Sequence, residues 1–150
     1  MNNDLCILIN TATNVFCLLP IKELYKRRSY RGMTLFIITL FNSIMMHLGE
    51  RKHELIPFIE YFTPHNSELW LNFDKITGVM AFIYCYYIWH INIYPSKNTI
   101  LTLAITGMMC LRLGEITHDL TVYTMLHTLW HFSAFSAAFL VFSHNNKCKH

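Results

Sequence analysis

The sequence predicts an all-α membrane protein, built as one bundle of five transmembrane helices, and three observations support this fold class. Of its 150 residues, 53% are hydrophobic and only 14% are charged, whereas soluble domains usually carry about 25% charged residues. Its apolar stretches are close to the roughly 20 residues that a helix needs to cross a bilayer. These stretches are continuously apolar, which argues against the alternating pattern of a membrane β-barrel.

Five such stretches follow one another along the chain, separated by short polar segments. The expected spans are about Leu5–Ile21, Gly32–Leu48, Trp70–Tyr94, Thr99–Glu115 and Val122–Phe142. The remaining residues are divided among segments too short to form a separate soluble domain. Residues 1–150 are therefore expected to form a single integral membrane domain, with no separate soluble domain.

The first span is followed by the densest group of positive charges in the chain. This group consists of Lys22, Lys26, Arg27, Arg28 and Arg31. Loops rich in Lys and Arg stay in the cytoplasm, so we expect the N-terminus outside the cell or in a lumen. Five spans then place the C-terminus in the cytoplasm. The formal net charge of +3 is interpreted as a topology signal, and no nucleic-acid binding is expected.

The second, third and fifth spans contain polar residues that the topology brings to one depth. The second carries Ser43 and His47, the third has Asp74 about one turn from its start, and the fifth carries His127 and His131. With the orientation above, all five lie in the outer half of the bilayer. Ionisable side chains are costly in a membrane and usually mark a functional site.

The spacing and residue types of this group predict an intramembrane zinc site. Residues four apart on a helix lie about 6 Å apart along its axis, so His127 and His131 can approach one ion. With His47 they make three neutral ligands and leave a fourth position open, as in catalytic zinc sites. Zinc lowers the pKa of its water toward about 7. Asp74 is expected to take or relay the proton, and Ser43 to hydrogen-bond the water or the developing oxyanion.

Each of these residues has a simpler interpretation when it is taken alone. A membrane histidine is more often a hydrogen-bonded packing residue than a ligand. Ser43 could serve helix packing, and Asp74 could cap the third span near its N-terminus. The fourth span supplies no ligand, but Arg112 and Glu115, three residues apart near its end, predict an ion pair.

Together, Ser43-x-x-x-His47, an aspartate at the start of the next span, and His127-x-x-x-His131 in the last span resemble the CREST superfamily. This superfamily of membrane proteins includes alkaline ceramidases, adiponectin and progestin receptors, and myomaker. The chain is most similar to the myomaker branch. One similarity is Leu-Pro followed by Lys-Arg-Arg within residues 17–36. The other is a segment within residues 111–131, in which an arginine and acidic residues precede the last histidine pair.

The resemblance implies that His47, His127 and His131 bind Zn²⁺, and that Ser43 and Asp74 position the bound water. It also implies a membrane lipid as substrate or ligand. Members of the superfamily have seven spans, so the chain resembles a shortened form that lacks two middle helices. A homodimer would supply the wall of the lipid-binding cavity that the two missing helices leave open.

Three functions are compatible with these patterns. The first is a zinc-dependent hydrolase of lipid amide or ester bonds, similar to the ceramidases. The alternative is a non-enzymatic protein of membrane remodelling or fusion, similar to myomaker, in which the zinc is structural. A b-type cytochrome is the third, although histidines on adjacent turns of one helix do not reach opposite faces of a haem.

Overall fold

A computed structural model describes residues 1–50, 67–91 and 96–144, and this part of the chain is helical throughout, without strands. Its elements are α1 (Asn3–Thr13), a 3₁₀ turn (Asn14–Cys17), α2 (Leu18–Lys26), α3 (Tyr30–Gly49), α4 (Ser67–His90), α5 (Lys97–Ile116) and α6 (Leu120–Ser143). The all-helical fold class is therefore confirmed. α1, the turn and α2 run together as one segment, so the described residues form five long helical segments.

Four of these segments are long and apolar enough to cross a membrane: Asn3–Lys26, α3, α5 and α6. The bounds that the sequence predicts for the corresponding spans lie within these helices. The predicted third span, Trp70–Tyr94, corresponds to α4, which begins earlier and ends at His90; residues 92–95 lie outside the described residues. α4 is not among the four, since Asp74, Lys75 and several tyrosines make it less apolar. Its crossing, and the orientation derived from five crossings, remain predictions.

α6 lies at the centre of the fold and contacts α1, the 3₁₀ turn, α2, α4 and α5, while α3 packs mainly between α2 and α4. The core between α3 and α6 contains Phe36 and Phe142, whose rings meet edge to face at 5.5 Å. On the outside, α4 and α5 expose large apolar side chains such as Ile83 and Met109, each 59% exposed. An apolar exterior of this kind suits contact with lipid.

The 3₁₀ turn within the first segment has a local cause in its sequence. Pro20 has no backbone N–H to bond the carbonyl of Phe16 four residues earlier. The backbone immediately before it tightens into the 3₁₀ turn Asn14–Cys17, a frequent adjustment at such points. Both α1 and α2 consequently pack on α6.

α2 ends in a motif that normally contains glycine. Ser29 N–H donates to the carbonyl of Leu24, and Arg28 N–H donates to that of Tyr25, which is the Schellman pattern of hydrogen bonds. Arg28 occupies its left-handed position with φ of 56°. A side chain with a Cβ costs about 1–2 kcal/mol in this conformation.

α5 and α6 form a helical hairpin, and contacts between residues close in the chain mark the end of α5 and the start of α6. Asp119 caps α6 by accepting hydrogen bonds from Thr121 N–H at 2.8 Å and Val122 N–H at 2.9 Å. The predicted ion pair is confirmed, with Arg112 Nη1 2.6 Å from Glu115 Oε2. Both side chains are exposed, so the pair contributes little to stability.

The contact between α3 and α4 predicts opposite effects for two glycine substitutions. A Cβ at Gly32 would lie 2.6 Å from the hydroxyl oxygen of Tyr84, whereas a Cβ at Gly78 would meet nothing within 4 Å. We expect Gly32→Ala to lower the free energy of unfolding by about 1–3 kcal/mol through overpacking. Gly78→Ala, the matched control, should raise it by about 0.5–1 kcal/mol through helix propensity. Thermal unfolding of both variants in detergent checks this, and a Gly32→Ala protein as stable as Gly78→Ala would contradict the described packing.

Candidate metal centre

The three histidines predicted as ligands come together between α3 and α6. His47, His127 and His131 are 0%, 7% and 3% exposed. One ring nitrogen of each lies within 4.8 Å of the other two, and the Nε2 atoms of His47 and His127 are 3.0 Å apart. These three buried imidazoles could hold a metal ion, as the sequence predicts.

The distances fit a small transition-metal ion. With Zn–N bonds of about 2.0–2.1 Å and tetrahedral angles, ligand nitrogens lie roughly 3.3–3.4 Å apart. The observed separations, from 3.0 Å to at most 4.8 Å, bracket this value. Imidazole suits Zn, Cu, Fe and Ni alike, so the donor set indicates a class of ions and does not single out zinc.

A threonine on the first helix determines which nitrogen of His131 is free. Thr13 Oγ1 donates its one hydrogen to the carbonyl of Asn10 at 2.8 Å, and it lies 2.8 Å from His131 Nδ1. Because a hydroxyl has a single hydrogen to donate, we infer that Thr13 accepts and that His131 Nδ1 carries the hydrogen. Nε2 of His131 then keeps its lone pair for a metal.

A carboxylate determines the tautomer of His47 in the same way. Glu50 Oε2 lies 3.4 Å from His47 Nδ1, and an ionised carboxylate only accepts. Nδ1 of His47 therefore carries the hydrogen and Nε2 is bare. Metal-binding histidines usually donate their second N–H to an oxygen in this manner, which fixes the ring orientation.

The sequence analysis did not identify Thr13 or Glu50 as part of the site. Glu50 follows His47 by three residues at the end of the same helix, and that spacing could have indicated a contact. Thr13 is 118 residues away from His131 in the chain, and its role comes entirely from the packing of α1 against α6. No local pattern could have found it.

The close approach of His47 and His127 requires either a shared hydrogen or a metal ion between their ring nitrogens. Their Nε2 atoms face each other at 3.0 Å, with the ring planes at 85°. Two bare lone pairs at this distance repel unless a proton or a metal ion lies between them. The third imidazole is adjacent to both, with ring centroids 5.4 Å from His47 and 4.6 Å from His127.

The other two predicted residues lie beside the histidines. Ser43 is one turn before His47 on α3 and is 4% exposed. Its hydroxyl hydrogen-bonds to the Asp74 carboxylate, which also interacts electrostatically with His47. Ser43 therefore orients Asp74 in this structure, while its predicted contact with water or an oxyanion remains a prediction.

Polar contacts between α3 and α4 lie one turn beyond Asp74, at Thr77. Asn42 Nδ2 donates to Thr77 Oγ1 at 3.4 Å. Thr39 Oγ1 donates its hydrogen to the Leu35 carbonyl at 2.9 Å and lies 3.4 Å from the Thr77 carbonyl. Interhelical contacts of this kind are common between membrane helices. α4 begins at Ser67, so Asp74 is two turns inside the helix and does not act as its N-terminal cap.

The geometry does not suit a haem. Two axial histidines bind from opposite faces of a flat macrocycle, and Nε2 atoms 3.0 Å apart leave no room for one between them. His131 also packs against both rings. These contacts favour a single small ion over the cytochrome alternative.

The convergence of the imidazoles predicts about one metal ion per chain in the purified full-length protein. His127→Ala removes a ligand and should lose nearly all of this metal. His90→Ala, a change at the exposed end of α4, should keep it. Elemental analysis by mass spectrometry of the three proteins measures the content. Equal metal in wild type and His127→Ala would contradict the site.

The hydrogen bond from His131 to Thr13 predicts an effect on metal affinity. Thr13→Val keeps the shape but removes the acceptor, and we expect the affinity to fall by about 10–100-fold, as for other outer-shell partners. Thr13→Ser keeps the hydroxyl and should bind as tightly as wild type. Competition against a chelator of known affinity measures both variants. If Thr13→Val and Thr13→Ser bind metal equally well, Thr13 does not orient His131.

Comparison of the chain with models of protein families, with curated proteins and with solved structures finds no match. The resemblance to the CREST superfamily remains a prediction that rests on the motifs. The functional assignment therefore depends on the geometry of the site itself.

Proposed function

We propose that this protein is a zinc-dependent membrane hydrolase that cleaves an amide or ester bond of a lipid, as the ceramidase-like motifs predict. The observation that carries the proposal is the convergence of three buried imidazoles, one from α3 and two from α6, beside a hydrogen-bonded Ser43–Asp74 pair. A three-histidine donor set leaves room for water or substrate, as in catalytic zinc sites.

Each polar residue has a distinct task in the proposed reaction. Zn²⁺, when bound, supplies a Lewis acid and makes hydroxide available near neutral pH. Asp74 accepts the proton as the water oxygen forms its bond to the carbonyl carbon. It then gives the proton to the leaving nitrogen or oxygen as the bond between that atom and the carbonyl carbon breaks. The products are a carboxylic acid and an amine or alcohol. Ser43 orients the Asp74 carboxylate during both transfers.

The neutral charge of the ligands supports catalysis over a purely structural role. Three imidazoles leave the full positive charge of a divalent ion to polarise a carbonyl, whereas structural zinc sites usually have four protein ligands. Thr13 and Glu50, hydrogen-bonded to the outer nitrogens of His131 and His47, hold two of the rings in one orientation. A preorganised site of this kind needs little rearrangement during reaction.

The depth of the cluster supports a lipid substrate. His127 is seven residues after the start of α6 at Leu120, or about 10 Å along the helix. The two headgroup regions together add roughly 10–15 Å, or about 5–8 Å on each side, to a hydrocarbon core of about 30 Å. The amide or ester linkage of a lipid lies at the boundary between headgroup and core, which is within a few ångströms of the expected depth of His127.

A structural metal in a non-enzymatic, myomaker-like remodelling protein is the second candidate, and burial favours it. His47 is 0% exposed. One cleft is lined by residues of the N-terminus and another by residues 28–31 with Tyr84, and neither touches the cluster. In this case removal of the metal should lower the melting temperature, and there should be no enzymatic activity to lose.

The proposal predicts hydrolysis of a lipid amide or ester by the zinc-loaded, purified full-length protein. Asp74→Asn should keep the metal but reduce turnover by about 10²–10⁴-fold, because the general base is lost. His131→Ala should lose both metal and turnover, and His90→Ala should match wild type. Product release from ceramide-type and ester-type fluorescent lipids in detergent micelles, with and without chelator, provides the measurement.

Two results would refute the hydrolase. One is equal turnover by wild type and His131→Ala, which would trace the activity to a contaminant. The other is a zinc-loaded wild type that releases no product from either class of lipid, with a melting temperature that falls when the metal is removed. That second result favours the structural metal.

A further inference from the structure

A second polar feature lies at the opposite end of α3 from the metal centre. It is an open cleft of about 440 Å³ between the α2–α3 connection and α4, lined by Arg28, Ser29, Tyr30, Arg31 and Tyr84. Sixteen residues of α3 separate Arg31 from His47, which corresponds to about 24 Å along the helix. The cleft is thus separate from the proposed hydrolytic site.

The cleft carries positive charge that no acidic side chain among the described residues pairs with. Arg28 and Arg31 are both exposed, and among the described residues neither has an ion-pair partner. Lys22 and Lys26 add to the positive charge of this end of α2, where the one nearby carboxylate, Glu23, pairs with Lys26 at 2.6 Å. Guanidinium groups are well suited to bidentate contact with phosphate.

Hydroxyl and backbone donors border the same cleft. Ser29 Oγ and Tyr84 Oη are 2.9 Å apart, and either hydroxyl can turn toward a ligand. The side chain of Ser29 does not cap α3, so the first N–H groups of that helix stay available to an anion. The lining thus combines two cations, hydroxyls and a helix N-terminus.

The position of the cleft points to the surface of the membrane. It lies where one candidate span, Asn3–Lys26, ends and the next, Tyr30–Gly49, begins. Tyr25 and Tyr30 beside it are 65% and 57% exposed, and tyrosines are enriched at the boundary between membrane and water. Basic pockets at such boundaries bind anionic lipid headgroups.

We propose that this cleft binds the phosphate of an anionic phospholipid, held by Arg28 and Arg31. The left-handed conformation of Arg28 agrees with this role. Glycine is the usual residue at that position, and an arginine there places a guanidinium at the cleft. Free inorganic phosphate offers the same chemistry, so the experiment has to separate the two sources.

Calorimetric titration of the full-length protein in a neutral detergent tests the proposal with three ligands: short-chain phosphatidic acid, short-chain phosphatidylcholine and inorganic phosphate. We expect phosphatidic acid to bind at least about tenfold more tightly than the other two. The double variant Arg28→Gln/Arg31→Gln should lose about tenfold or more of that affinity. Lys22→Gln/Lys26→Gln removes the same charge outside the cleft and should lose much less.

A further variant separates binding from folding. Arg28→Gly relieves the left-handed conformation and should raise the melting temperature while it weakens phosphatidic acid binding. An equal loss in the two double variants would indicate diffuse attraction and overturn the site, as would wild-type affinity in Arg28→Gln/Arg31→Gln. Equal binding of inorganic phosphate and phosphatidic acid would overturn the assignment to a lipid.

Discussion

The need to satisfy buried imidazoles governs the arrangement of this bundle. A polar ring that is removed from both water and headgroups loses several kcal/mol unless each nitrogen finds a partner. His47, His127 and His131 are almost completely buried, and their ring nitrogens meet at one point. Any arrangement of α3 and α6 that separated them would leave unpaired polar atoms in an apolar interior. The placement of α3 opposite α6 therefore depends on the cluster together with the contact of Phe36 and Phe142.

The hydrogen bonds around the cluster fix the orientation of its imidazole rings. Thr13 and Glu50 each accept from an outer ring nitrogen, which turns the inner lone pairs of His131 and His47 toward the centre. One acceptor comes from α1 and the other from the end of α3, so three helical segments contribute to the orientation of two rings. A site assembled in this way can bind an ion without large rearrangement, which suits the proposed hydrolase.

α3 connects two chemically different ends of the protein. One end presents His47 and Ser43 to α6 and α4, and the other begins beside the arginines of the cleft. Both ends depend on close packing against α4, through Asn42 and Thr77 near the middle and through Gly32 and Tyr84 near the cleft. If the cleft holds a lipid phosphate, it would fix the height of α3 in the membrane and hence the depth of the metal centre.

The sequence by itself determined the helical class, the approximate bounds of the helices and the pairing of His127 with His131, because helical periodicity places residues four apart on one face. It also indicated Arg112 with Glu115 for the same local reason. Only the tertiary structure decided that His47 reaches that pair, that Thr13 orients His131, and that Ser43 turns to Asp74. It also showed α4 as one long helix from Ser67 to His90. Local periodicity extends over a few turns, whereas the register between helices depends on contacts such as Phe36 with Phe142, between residues far apart in the chain.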